Sequence, residues 1–173
     1  MLKKGEHIIL IGMSGSGKTA LGEALSIALN LPFIDTDEEI VKMTGLSISE
    51  IFRLEGEAKF RSYESGVIRQ LVDFPKSVIA VGGGLPCHNN QMDLILDMGK
   101  VIYLNVYVDV LVSRLIEDQN ERPLYAKLSK EEIIKKTIDL KAEREDAFKK
   151  AHFVIDANQA IDVLVQEIIE KLI

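Results

Sequence analysis

Gly12-Met13-Ser14-Gly15-Ser16-Gly17-Lys18-Thr19, GMSGSGKT, is the stretch whose reading decides the fold. Gly12 and Gly17 are separated by four residues, and Lys18 and Thr19 follow directly. This spells the P-loop pattern, with Gly15 as a third glycine. The apolar run His7-Ile8-Ile9-Leu10-Ile11 before it reads as a buried strand. Behind it, Ala20, Leu21, Ala24, Leu25, Ala28 and Leu29 recur at helical spacing. A strand, a glycine-rich loop and a helix N-terminus together make an anion site. Backbone N–H groups converge there, and the helix dipole favours negative charge. Lys18 would reach terminal phosphates, and the Thr19 hydroxyl would serve Mg²⁺.

The bulk properties bound the rest. At 173 residues the chain is expected to form a single domain, 1–173, with room for a true core. Its net charge of −6 argues against non-specific nucleic-acid binding. The lone Cys87 excludes an internal disulfide and fits a reducing, cytoplasmic setting. No apolar run approaches the length of a membrane span. Met1-Leu2-Lys3-Lys4-Gly5 leads straight into the first strand, which leaves no room for a signal peptide.

Strand and helix patterns alternate along the chain. Strands are predicted at 7–11, 31–35, 78–81, 101–106 and 153–155. Helices are predicted at 37–43, 48–54, 57–72, 89–97, 109–116, 129–149 and 160–172, besides the one behind the P-loop. Ser47 with Glu50, and Ser129 with Glu132, have capping-box spacing. Five short apolar strands separated by helices imply a parallel sheet covered on both faces, an α/β three-layer domain. Ligands of such sheets bind beyond the carboxyl ends of the strands. Gly12–Thr19, Asp35-Thr36-Asp37 and Gly82-Gly83-Gly84 all fall at such ends. Their chemistry is therefore expected on one edge.

Asp35 and Asp37 share a face if their strand continues, and flank a turn if it stops. One carboxylate could hold water on Mg²⁺, and the other could orient an acceptor hydroxyl or take its proton. The competing reading is helix capping by Asp37-Glu38-Glu39. Gly82 to Gly84 would let a ligand approach bare backbone, or simply turn the chain before Pro86. Arg61, Arg114, Arg122 and Arg144 each read as surface arginines when taken alone. Glu117 to Lys127 is charged and poorly periodic, and is expected to move when no ligand is bound. No Asn-Lys-x-Asp, Asp-x-x-Gly or Leu-Ser-Gly-Gly stretch accompanies the P-loop, which argues against GTPase and ABC-type readings. Leu94-Ile95-Leu96-Asp97 imitates a Walker B strand, but reads better as a helix end before Gly99. His7, His88 and His152 have no metal-ligand spacing.

These residues resemble the shikimate kinase family over essentially the whole chain. The resemblance is carried by GMSGSGKT, by FIDTD at 33–37, IFRLEGEAKFR at 51–61 and VGGG at 81–84, then ERP at 121–123 and Arg144. It implies a P-loop, nucleoside-monophosphate-kinase-like fold with strand order 2-3-1-4-5, substrate-binding helices at 36–72 and a lid at 117–127. It implies ATP-dependent phosphorylation of shikimate to shikimate 3-phosphate, in aromatic amino acid biosynthesis, by a cytoplasmic monomer. Gly15, Ser16, Gly17, Lys18, Thr19 and Ala20 would then hold ATP, with Thr19 and, through water, Asp35 on Mg²⁺. Asp37 would hold the ring hydroxyls and the attacking hydroxyl. Arg61 and Arg144 would bind the shikimate carboxylate, and Gly82, Gly83 and Gly84 would contact the acceptor. Arg122 would reach the transferring phosphate from the lid. Arg114 would pack on adenine, bordered by Gln159 or Asn158.

One position departs from the family pattern. Phe148 stands where the family usually has Tyr, four residues after Arg144. Two rivals share the motifs: another small-metabolite kinase of the same fold, such as a gluconate kinase, and a non-catalytic nucleotide-binding module. The module is disfavoured because Lys18, Asp37 and Arg122 are all retained.

Overall fold

The computed structural model describes residues 6–119 and 122–173. Glu121 of the Glu-Arg-Pro stretch and the first five residues lie outside the described residues. Strand β1 (His7–Ile11) leads through the glycine loop into helix α1 (Lys18–Leu29). Then come β2 (Phe33–Asp35), α2 (Thr36–Thr44), α3 (Ile48–Leu54), α4 (Glu57–Leu71) and β3 (Val78–Ala80). A 3₁₀ turn (Leu85–Cys87), α5 (Gln91–Met98), β4 (Gly99–Asn105) and α6 (Val108–Glu117) follow. The chain ends with α7 (Lys130–Phe148), β5 (Phe153–Asp156) and α8 (Ile161–Leu172).

The five strands form one parallel sheet in the order β2-β3-β1-β4-β5, as the resemblance implied. Every residue of β1 is buried, because this central strand is covered on both faces. Its run of four β-branched or branched aliphatics, Ile8 to Ile11, has no polar alternation for that reason. Parallel strands need crossovers, and here helices supply each of them. All five carboxyl ends consequently point the same way, which brings the glycine loop, Asp35 and the triple glycine to one edge.

Boundaries moved where an end is decided by caps and contacts. The second strand starts at Phe33, two residues later than expected, and Asp35 ends it by capping α2. Gly99 closes α5 and also opens β4. A Cβ on Gly99 would stand 2.1 Å from the carbonyl oxygen of His7, so only glycine permits that strand pairing. The lid stretch also differs from its reading. Its first residue, Glu117, completes α6, and Tyr125 is 1% exposed within the core. Gln119 donates to the carbonyls of Tyr125 (3.1 Å) and Leu128 (2.7 Å). The described part of this stretch is therefore pinned at its C-terminal side. One buried aromatic among charges makes no periodicity, so composition hides the anchor.

Candidate active site

The glycine loop wraps around a helix end left open. Gly17 is the N-cap of α1 with φ 89, and no side chain caps this helix. No acidic residue lies in its first turn. The free N–H groups of α1 therefore face the loop's hollow, and an anion is the partner they lack. The contrast within the chain is instructive. Asp35 caps α2, and α3 and α7 carry full capping boxes at Ser47/Glu50 and Ser129/Glu132. Helices α4, α5, α6 and α8 also lack a side-chain cap, but each has an acidic residue in its first turn. Lys18 folds back over the loop and donates to the carbonyls of Gly12 (3.1 Å) and Met13 (2.9 Å). Burial pulls its ammonium down to about 8, with Asp37 holding it partly up and Arg122 adding to the depression. A cation short of counter-charge stands ready for phosphate.

The cap of α2 is Asp35, while Asp37, Glu38 and Glu39, the residues offered for capping, fill the helix's first turn; a second contact joins α1 to Asp35. Its Oδ1 accepts from the backbone N–H of Asp37 (2.9 Å), which is the capping role. Its Oδ2 accepts from the Thr19 hydroxyl (2.8 Å), which joins it to the glycine loop. Thr19 and Asp35 thus offer two adjacent hard oxygens, a donor set that suits Mg²⁺. Among the described residues no group of three His, Cys, Asp or Glu side chains could hold a metal. A cation here would have to complete its shell with phosphate and water, as Mg²⁺ does in phosphate sites.

Asp37 lies in the first turn of α2, and its buried Oδ1 has no hydrogen-bond partner. Burial and the neighbouring Asp35 push its carboxyl up to about 6, against the pull of Lys18, Arg122 and Arg61. Across from it runs the triple glycine. A Cβ on Gly82 would stand 3.0 Å from Asp37 Oδ1, and one on Gly84 only 2.8 Å from both terminal nitrogens of Arg61. These glycines are bare so that charged side chains can crowd the backbone. Arg61 is 9% exposed and donates to Glu64 (2.7 Å) and Glu57 (2.8 Å). Arg144, from α7, is 4% exposed and donates to the Gly83 carbonyl at 3.1 Å. Two guanidinium groups from different helices thus flank the glycines.

Two clefts meet at this edge. One of about 410 Å³ runs along the glycine loop from Gly15 to Ala20 and reaches Arg114 and Gln159. The other, about 300 Å³, is walled by Arg61, Arg144, Gly82 to Gly84, Phe52 and Phe60. Thr19, Asp35, Asp37, Gly82, Gly83 and Arg122 line both. A group passing from one cleft to the other would cross at these residues. Arg122 stands half-exposed at the junction, 3.9 Å from the Asp118 carboxylate. Arg114 donates to the Gly15 carbonyl at 2.9 Å. Of the two residues offered for the far end, Gln159 lines the cleft, whereas Asn158 is used in the turn after β5, accepting from the Tyr107 N–H.

Comparison with known proteins agrees with this arrangement. The family model for shikimate kinase matches residues 14–173. The chain belongs to the shikimate kinase family. A shikimate kinase of Nitrosomonas europaea is 40% identical over 168 residues, which cover 96% of this chain and 78% of that protein. The structure of Acinetobacter baumannii shikimate kinase in complex with shikimate superposes with a TM-score of 0.90 at 33% identity. That match covers 96% of this chain and 92% of the other. Shikimate kinase from Bacteroides thetaiotaomicron gives 0.91, also at 33% identity, covering 96% and 98%. The reaction of this chain is ATP-dependent phosphorylation of shikimate.

Within this shikimate kinase family member, Phe148 departs from the usual Tyr without leaving Arg144 adrift. Phe148 is fully buried, its ring 4.9 Å from that of Tyr103. The Tyr103 hydroxyl reaches the Glu145 carboxylate at 3.2 Å, and Lys141 donates to the Asn105 side chain at 2.7 Å. Helix α7 is thus fastened to β4 on both sides of Arg144's turn. The reading from sequence missed Glu64 and Glu57, which hold Arg61. A signal for Glu64 was present. Phe60, Glu64, Val67, Ile68 and Leu71 fall on the buried face of α4. A carboxylate on an apolar stripe needs a partner, and Arg61 stands three residues earlier.

Proposed function

We propose a division of labour in which ATP occupies the cleft along the glycine loop and shikimate the cleft between Arg61 and Arg144. The two meet at Asp37 and Gly82. The observation that carries this reading is the shared wall of the two clefts, which Asp37 and Arg122 both line, with Lys18 beside it in the cleft along the glycine loop. Gly15 to Ala20 cradle the phosphates with the open end of α1, and Arg114 and Gln159 border the base. Thr19 and Asp35 would hold Mg²⁺, which would supply positive charge against that of the phosphates. Arg61 and Arg144 clamp the acceptor's carboxylate, a match of planar forks to a planar anion.

Asp37 orients the attacking hydroxyl. In the in-line step a bond forms between that hydroxyl oxygen and the γ-phosphorus, and the bond from phosphorus to the bridging oxygen breaks. ADP leaves and the hydroxyl's proton passes to Asp37, giving shikimate 3-phosphate. A carboxyl near 6 is largely ionised at neutral pH and still basic enough to accept that proton. Lys18 and Arg122 meet the charge that spreads over the transferring oxygens. The single free Cys87 and the ATP requirement fit the cytoplasm.

A coupled ADP-release assay against shikimate, gluconate, quinate and nucleoside monophosphates tests the reading. Shikimate is expected to be preferred by several orders of magnitude in kcat/KM. Comparable turnover of gluconate, which lacks the rigid ring, would remove the assignment of the Arg61–Arg144 cleft.

A further inference from the structure

Glu64 is 2% exposed in α4. One of its oxygens, Oε2, accepts from Arg61 at 2.7 Å. The other, Oε1, is buried and has no hydrogen-bond partner. It faces Gly82, where a Cβ would stand only 2.5 Å away. The unpartnered Oδ1 of Asp37 faces the same point at 3.0 Å. Two buried carboxylate oxygens without donors therefore look into the acceptor cleft.

The charges around Glu64 come from three helices. Arg61 and Glu57 lie on its own α4, Asp37 on α2 and Arg144 on α7. Beyond the 3₁₀ turn, His88 faces Arg61, Glu57 and Arg144. Arg61 answers two carboxylates, Glu57 and Glu64. The acceptor's carboxylate, placed on Arg61 and Arg144 by the reading above on which this inference rests, is a third. Glu57 is 51% exposed and can turn to water. Glu64 cannot, and an uncompensated buried anion is costly. A proton on Oε1 removes that charge and converts an orphan acceptor into a donor aimed at the ligand.

We propose that Glu64 takes up a proton from solvent when shikimate docks on Arg61 and Arg144, so that acceptor binding is proton-linked and the occupied cleft holds a neutral Glu64. The proton returns to solvent when the acceptor site empties. Burial, together with the charge of Asp37, already pushes this carboxyl up to about 7 against the opposing pull of Arg61, so the uptake is cheap near neutral pH. The sign follows from linkage. The bound state keeps the proton to higher pH than the free state, so affinity is greatest below about 7 and weakens as pH rises above it.

Calorimetric titration of shikimate into the intact enzyme, near pH 7.5 in phosphate and in Tris, measures the uptake directly, because the two buffers release protons with different heats. Wild type is expected to take up between about 0.3 and 0.8 proton per shikimate. Glu64→Gln should lose the uptake, and its affinity should no longer fall between pH 7 and 9. His88→Asn should keep the uptake, which separates Glu64 from the nearby imidazole. Buffer-independent heat in wild type overturns the proposal, as does uptake that survives in Glu64→Gln or vanishes in His88→Asn. If Glu64→Gln does not fold, the pH dependence of shikimate Kd in wild type decides, and a flat profile from pH 6 to 9 overturns it. Arg61→Ala distinguishes the two levels. Unchanged shikimate affinity removes the docking site and the proposal together, whereas weakened affinity with no wild-type uptake removes the proposal alone.

Discussion

Lys18 donates to two carbonyls of its own loop, which hold its ammonium over the glycine loop. Lys18→Ala should lower kcat at least about 100-fold, the order seen when one transition-state donor is removed. Its thermal unfolding should stay near wild type, because the fold does not lean on that ammonium. Near-normal kcat would take Lys18 out of the mechanism. Among the described residues Arg144 donates only to the Gly83 carbonyl, which leaves most of its fork for the acceptor. A charge-assisted hydrogen bond contributes roughly 1.5–3 kcal/mol. Arg144→Ala should therefore weaken shikimate binding by about 10- to 150-fold and leave ATP affinity nearly unchanged. Equal loss for both ligands would sink the assignment. Phe148 is the residue whose family counterpart carries a hydroxyl. Its ring is fully buried against Tyr103, so Phe148→Tyr adds a polar atom where Arg144 is already held. We expect shikimate KM to change by less than about tenfold and unfolding stability to drop by about 1–3 kcal/mol if the new hydroxyl stays unpaired. A large fall in KM would show an acceptor site that this chain leaves imperfect.

At the scale of elements, the segment between α6 and α7 carries the most risk. Tyr125 and Gln119 tie its C-terminal side to the body, while Arg122 stands half-exposed at the cleft junction with a long contact to Asp118. That placement suits a group engaged in one state more than in another. Arg122→Ala should lower kcat much more than it raises KM for either substrate, the signature of an interaction made in the transition state. A raised KM for ATP with kcat unchanged would make Arg122 a ground-state binder. Protease cleavage within 117–127 should also slow when nucleotide and shikimate are bound together. Equal cleavage rates with and without them would exclude closure over the acceptor cleft.

For the whole molecule, His7 links the sheet to α4 and reports on the fold rather than on the chemistry. Its ring is 1% exposed, accepts from the Ser77 N–H on Nδ1 and donates from Nε2 to the Leu71 carbonyl. Both nitrogens are engaged only in the neutral ring. Burial holds its pKa below the usual 6.5, against the two backbone contacts. The unfolded chain then binds the proton more readily, so this contribution is present above 6.5 and is lost as pH falls through the window beneath it. Glu64 works in the opposite sense, since its raised pKa favours the native state at lower pH. The difference in unfolding free energy between wild type and His7→Gln isolates the first term. It should be widest above 6.5 and narrow toward pH 5 by at most about 1.4 kcal/mol per pH unit. A difference independent of pH would show that folding leaves the ring's pKa unshifted.

The sequence by itself determined the glycine loop, the alternation of five strands with helices and the edge on which the polar motifs meet. Those features are local: a glycine spacing, a hydrophobic period and a capping residue each act within a few positions of the chain. Both capping boxes, at Ser47 and Ser129, are seen where the spacing put them. The relation of one helix to another is not local. Only the tertiary structure set Arg144 of α7 over Gly83 and gave Arg61 two carboxylate partners. Only packing, likewise, selected Gln159 over Asn158 for the cleft and buried Tyr125 beneath a charged segment. Long side chains from separate helices reach the same point from many backbone arrangements. Their convergence is decided by how α4 and α7 pack beside the sheet, and that packing is summed over the whole core.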